Sequence, residues 1–138
     1  MLGKILSREG YSLLSCIMYV GSQDRVWMIV NKGVLNPSIF YENDQILTYS
    51  FTKSGKRICC SVVYGYNNYI DRRSLWNKIK NLESSILDPW IVIGDFNSIF
   101  HVEEKIGPMV GTTSMVEFRD YIEKASLTEI NLSGAKFT

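Results

Sequence analysis

The hydrophobic pattern of this chain first changes period just after Tyr66, from strand to helix, and that change limits the folds it can enter. Before it, the apolar residues follow strand patterns. Ile46–Thr52 (ILTYSFT) alternates apolar and polar side chains, as a half-buried strand does. Arg57–Tyr64 (RICCSVVY) is almost continuously apolar, which predicts a more central strand, and Lys53-Ser54-Gly55-Lys56 between them predicts a tight turn. Arg25–Val30 and the piece opened by Asn36-Pro37 and ending near Tyr41 are two further short strands, and the four together suggest an antiparallel meander. Tyr11–Val20 (YSLLSCIMYV) suits a buried strand or helix and is too short to span a membrane.

After the change, the apolar positions Ile70, Leu75, Trp76, Ile79, Leu82, Ile86 and Leu87 recur at helical spacing. Asp71 stands where the helix dipole favours an acid, and Asp88-Pro89 predicts the stop. Trp90–Ile93 (WIVI) reads as a short buried strand. Ser114 with Glu117 has the form of a capping box for a second helix carrying Met115, Phe118, Ile122 and Ala125 on its apolar side. Thr128–Thr138 reads as a strand, a Ser133-Gly134 turn and the start of another strand. Strands, then helix, strand, helix and strand, predict an α/β (α+β) layered fold over residues 1–138 as a single domain.

Composition excludes several function classes. Fifteen basic against fourteen acidic residues leave a net charge of +1, too little for a protein that wraps nucleic acid by charge alone. The three cysteines, Cys16, Cys59 and Cys60, form no CxxC pair and no zinc spacing, so a disulfide framework is not expected and a reducing, intracellular compartment is. The N-terminal residues lack the layout of a signal peptide, and no run is long enough for a membrane span.

Two segments carry chemistry. Val63-Tyr64-Gly65-Tyr66-Asn67 ends one expected strand and Ile93-Gly94-Asp95-Phe96-Asn97 ends the next, where layered α/β folds gather their sites. Gly94 permits a sharp turn. Asp95 can take a proton from water or contribute to a hard metal ion, Asn97 can orient a nucleophile and donate to an anionic oxygen, and Tyr64 can donate to a phosphate. Taken alone, Gly94-Asp95-Phe96-Asn97 reads first as an ordinary turn, since Gly, Asp and Asn are the commonest turn residues. The pair Arg72-Arg73 and Lys78-x-Lys80 read first as a solvated helix face and only second as a phosphate-contacting stripe. His101 reads as a loop or surface residue.

Tyr64-x-x-Asn67, then a helix bearing Arg72-Arg73-x-Leu75-Trp76, then Pro89-Trp90-Ile91-Val92-Ile93-Gly94-Asp95-Phe96-Asn97, resembles the endonuclease/exonuclease/phosphatase superfamily. More narrowly it resembles the endonuclease region of plant non-LTR (LINE-type) retrotransposon polyproteins. The resemblance begins at about residue 25, is densest over Val62–Lys105, and leaves residues 1–24 as an atypical N-terminal segment. It implies a two-sheet α/β sandwich and magnesium-dependent phosphodiester hydrolysis on DNA. It places Tyr64 on the scissile phosphate and Asn67 in support. It gives Asp95 the attacking water, and Asn97 both that water and the transition state.

The family pattern also has an N-terminal Glu that binds metal and a C-terminal Asp-His pair, and neither has a counterpart here; Asp95 remains as a possible outer contributor to the metal. The expectation is therefore a partial sandwich, incomplete at both ends, with weak or no activity and with unpaired sheet edges that favour self-association. Two alternatives stand beside it: a non-catalytic remnant or binding module, and a phosphatase acting on a small phosphoester.

Overall fold

The computed structural model describes residues 11–18, 24–31, 35–101 and 112–130. They divide into two compact units, one drawn from Met1–Tyr64 and Asp88–Asp95, the other from Gly65–Leu87 and Phe96–Thr138.

The first unit is built of strands. A four-stranded mixed sheet has the order β3-β4-β5-β6, with β3 at Leu35–Glu42, β4 at Ile46–Lys53, β5 at Lys56–Tyr64 and β6 at Trp90–Asp95. The first three are antiparallel and β6 runs parallel to β5. β1 (Tyr11–Met18) and β2 (Asp24–Asn31) form a separate antiparallel ladder. The meander expected from sequence thus has three strands, not four. The hydrogen bonds of β2 go to β1, which adopts the strand of its two open alternatives.

Local chemistry explains the sheet. Ser54 (φ 52°) and Gly55 (φ 74°) both take left-handed backbone, the two-residue hairpin turn whose twist matches its flanking strands. Asn43 opens β4 by accepting the backbone N–H groups of Gln45 and Ile46 on its Oδ1, both at 2.9 Å. β5 is central, as its apolar run predicts. β4 is less simple than its alternation suggests, because its polar Thr48 and Ser50 are buried along with Ile46 and Leu47. Their hydroxyls are satisfied across the sheet. Thr48 pairs with Ser61 at 2.7 Å, Ser50 with Ser38 at 3.0 Å, and the Trp90 indole N–H donates to Ser61 at 2.9 Å. A buried hydroxyl is tolerated only when bonded in this way. β6 departs from expectation: it is an edge strand among the described residues, and Ile91 and Ile93 (50%) are exposed.

The second unit is helical. α1 spans Arg73–Glu83 and α2 Thr112–Lys124. α1 is shorter at both ends than its apolar periodicity. At the start, the Asn68 side chain accepts the Ile70 N–H at 2.9 Å and turns the chain before the helix begins, leaving Asp71 outside it and Ile70 exposed. At the end, Ser84 and Ser85 turn their hydroxyls onto the Asn81 carbonyl, a competition that ends helices, so Leu87 (96% exposed) and Asp88-Pro89 lie beyond it. Leu75, Trp76, Ile79 and Leu82 are the buried stripe. Trp76 meets Phe118 with ring centroids 4.8 Å apart, and Phe96 meets Phe118 at 5.1 Å. Each such pair adds about 0.5–1.5 kcal/mol beyond the area it buries.

α2 ends in a closed cap. Leu127 N–H bonds the Ile122 carbonyl and Ser126 N–H the Glu123 carbonyl, with Ser126 at φ 53° in the position usually given to glycine. The strands expected within Thr128–Thr138 lie largely outside the described residues; 128–130 have no regular structure. No helix among the described residues is long and apolar enough to cross a membrane.

Two substitutions test the backbone. Gly94 has φ 135° and lies flat on Val63, so that an added Cβ would come within 2.7 Å of the Val63 nitrogen and overlap its carbonyl oxygen. Gly94→Ala is expected to cost about 3 kcal/mol or more, since backbone must move to admit it. Ser126→Gly is expected to stabilise by about 0.5–1 kcal/mol by removing a left-handed Cβ. Urea unfolding of each variant against the parent measures both.

Candidate functional site

In the sheet unit, parallel pairing of β5 with β6 sets Val63 beside Gly94 and Tyr64 beside Asp95. In-register neighbours in a sheet present their side chains to the same face, so the phenol and the carboxylate stand side by side at the carboxyl ends of two parallel strands. Tyr64 is half-buried and Asp95 exposed. The Tyr64 N–H is held by the Gln45 carbonyl at 2.9 Å, which fixes the strand end from its other side.

In the helical unit, Asn97 is held on both its backbone and its side chain. It takes left-handed backbone at φ 49°, which Asn tolerates better than most residues. Its Nδ2 donates to the Gly65 carbonyl at 2.5 Å, and its own carbonyl accepts from Arg72 Nη1. Gly65 is required here. A Cβ on it would approach the Phe96 carbonyl oxygen to 2.7 Å and Arg72 Cδ to 3.0 Å. Asn67 is exposed in the bend that follows. Of the four residues expected at the site, the strand register brings Tyr64 and Asp95 together, while Asn67 and Asn97 belong to the helical unit.

Arg72 corrects the sequence reading. It is not on a solvated face; it is 3% exposed, and its guanidinium donates to the Tyr66 carbonyl at 2.9 Å and the Ser114 hydroxyl at 2.9 Å as well as to Asn97. The capping box is corrected with it. α2 begins two residues before Ser114, so Ser114 is inside the first turn and serves Arg72, while Glu117 forms an ion pair with Arg73 at 2.5 Å. The signal for Arg72 was present in sequence. Positions 72, 75, 76, 79 and 82 share one helical face, so Arg72 continues the buried stripe. Ser114 and Gly65 had no comparable signal.

His101 is exposed, and its Nε2 lies 3.1 Å from Glu129 Oε2. It shares an open groove of about 500 Å³ with Phe100, Arg119, Ile122, Glu123 and Leu127. Cys59 and Cys60 are free and buried. Burial pushes both thiols up, with Asp88 adding to the effect on Cys59, which favours the neutral thiol over the thiolate. Burial likewise pushes the Tyr49 phenol up, with help from Cys60. Among the described residues, no three His, Cys, Asp or Glu side chains gather in a way that could hold a metal ion. Asp95 is the one carboxylate among the four expected site residues. Magnesium takes near-octahedral oxygen ligation through carboxylates and substrate phosphates, so this donor set does not by itself fit a resident magnesium.

Comparison with protein-family models and with curated proteins finds no match to this chain.

The Arg73–Glu117 pair gives a pH test. The hydrogen bond from Arg73 holds the Glu117 carboxyl below its usual range, with Arg72 lowering it further. A carboxyl depressed on folding contributes stability that is present above its unfolded value, about 4.3, and lost as pH falls through the lower folded value. The urea midpoint of the parent is expected to fall relative to Glu117→Gln as pH is lowered from 6 to 3. A constant difference across that range would remove the pair from the stability of α2.

Proposed function

We propose that this chain is a phosphodiester hydrolase-like domain of the endonuclease/exonuclease/phosphatase type, resembling the endonuclease region of non-LTR retroelements and acting on DNA. The observation that carries the reading is the register of Tyr64 with Asp95 at the carboxyl ends of parallel strands. That is where α/β folds place catalytic groups, and the two side-chain types suit phosphate and water. In this reading Tyr64 donates a hydrogen bond to a phosphate oxygen and Asp95 orients the attacking water and takes its proton. The resemblance gives Asn97 the positioning of the water and the stabilisation of the oxygen that gains charge, and gives Asn67 a supporting place. The two-sheet sandwich belongs to the same reading. It is supported by the β1–β2 ladder, which hydrogen-bonds apart from the four-stranded sheet while β2 approaches β5.

The magnesium that the resemblance implies would have Asp95 as its one carboxylate among the expected site residues. A single carboxylate is a poor holder for a divalent cation, so the negative charge that develops on the leaving oxygen stays largely uncompensated and turnover is expected to be low. Loss of one group that stabilises transition-state charge costs about 10²–10³ in rate.

The test is nicking of supercoiled plasmid with and without millimolar magnesium. Slow nicking that Asp95→Ala abolishes, and that Asn97→Ala lowers by roughly 10²-fold, is the expected outcome. Undiminished nicking by Asp95→Ala shows the assignment to be wrong. A second reading, a folded module without catalysis, is favoured by the short donor set around Asp95. Titration calorimetry separates the two, since magnesium binding lost in Asp95→Ala counts against a non-catalytic module.

A further inference from the structure

We propose that Arg72 is a positioning residue for Asn97, acting through one buried guanidinium that ties together the segments following β5 and β6. The proposal rests on the role given to Asn97 above, and its geometry lies wholly within the helical unit.

Three acceptors from separate stretches of chain converge on this side chain: the Tyr66 carbonyl, the Asn97 carbonyl and the Ser114 hydroxyl on α2. Ser114 in turn meets the Ser98 hydroxyl at 3.3 Å, so the residue after Asn97 is anchored to the same point. A simple anchor for the start of α1 would not need this arrangement. The stripe formed by Leu75, Trp76, Ile79 and Leu82 already buries that helix, and an apolar residue at position 72 would extend it without the cost of desolvating a charge. A buried guanidinium is costly unless its donors are bonded, and here Nη1 donates to the Tyr66 and Asn97 carbonyls and Nη2 to the Ser114 hydroxyl, while Nε is buried without a hydrogen bond.

The consequence is control of a single carboxamide. Asn97 is left-handed at φ 49°. Its backbone carbonyl is fixed by Arg72 and its side-chain nitrogen by Gly65. Gly65 in turn lies against both Phe96 and Arg72. Release of the guanidinium frees the carbonyl and lets the turn relax toward ordinary backbone, which swings the carboxamide away. Lysine cannot replace arginine, since a point charge does not span three acceptors in a planar fork.

The experiment compares Arg72→Lys with Arg73→Gln, which breaks the neighbouring Arg73–Glu117 pair at the same helix end. Two readouts are taken: the side-chain amide resonances and exchange rate of Asn97 by NMR, and kcat and KM for plasmid nicking. Expected for Arg72→Lys are displaced Asn97 side-chain peaks, exchange at least tenfold faster, and kcat lowered roughly 10–100-fold with KM little changed. Arg73→Gln is expected to leave all four near the parent. In an Asn97→Gly background, Arg72→Lys is expected to lower kcat no further. Equal effects from both arginines, unmoved Asn97 peaks in folded Arg72→Lys, or moved peaks with unchanged kcat in an active protein would each overturn the proposal. Should Arg72→Lys not fold, Ser114→Ala removes one acceptor and keeps the guanidinium; unmoved Asn97 peaks there overturn it as well. If the parent does not nick DNA, the functional reading fails separately, and the Asn97 peaks alone decide whether Arg72 positions that residue.

Discussion

The architecture of the sheet unit depends on one close approach, Gly94 against Val63. Parallel strands pair only after a long connection, and here 25 residues separate the end of β5 from the start of β6. Register across such a connection is not set by a turn, as it is in the Ser54-Gly55 hairpin. It is set by what fits. An in-register glycine whose missing side chain admits the neighbouring backbone selects one pairing, because a shift by one residue would bring Ile93 or Asp95 to the place where no Cβ is allowed. With that pairing selected, Tyr64 and Asp95 follow as neighbours at the next rung. The residue that makes the motif look like an ordinary turn is therefore the residue that aligns the two chemically useful side chains.

Much of this was legible in the sequence, and the limits have physical causes. β4, β5, their turn and the buried stripe of α1 follow from period and turn chemistry, because in each the local preference and the final environment agree. The ends of α1 do not, because periodicity continues through residues that Asn68, Ser84 and Ser85 divert by local hydrogen bonds. The buried-strand reading of Trp90–Ile93 also failed. A short apolar run shows that a strand forms, but its position in the sheet depends on which strands are available to flank it, and that is not encoded within the run. Ser114 and Glu117 illustrate a further limit. Their spacing satisfies the rule for a capping box, yet both side chains find stronger, charged partners in Arg72 and Arg73, which lie 42 and 44 residues away in sequence.

Buried polar groups shape both units in the same manner. In the sheet, Thr48 and Ser50 sit at positions that alternation assigns to an exposed face, and the cost of burying them is offset by hydroxyl pairs with Ser61 and Ser38 on neighbouring strands. Such pairs require one register and no other, so they add specificity where two methyl groups would accept a slip. In the helical unit, Arg72 has the same effect on a larger scale. Apolar contacts between Trp76, Phe96 and Phe118 bring the segments together, but ring packing tolerates small rotations. A guanidinium shared among Tyr66, Asn97 and Ser114 does not.

This division of labour bears on how a polar residue comes to be held in a strained conformation. The left-handed backbone of Asn97 costs of order 1 kcal/mol and persists only where its surroundings over-determine it. The hydrogen bonds to Gly65 and Arg72 do so from opposite ends of the residue, and the absence of a side chain on Gly65 makes room for both. Aromatic packing alone would leave Asn97 free to relax, and a turn serving only to reverse the chain would be satisfied by glycine at that position. An asparagine kept left-handed by a buried arginine and bonded through its carboxamide to Gly65 is what the proposed role of that carboxamide would require.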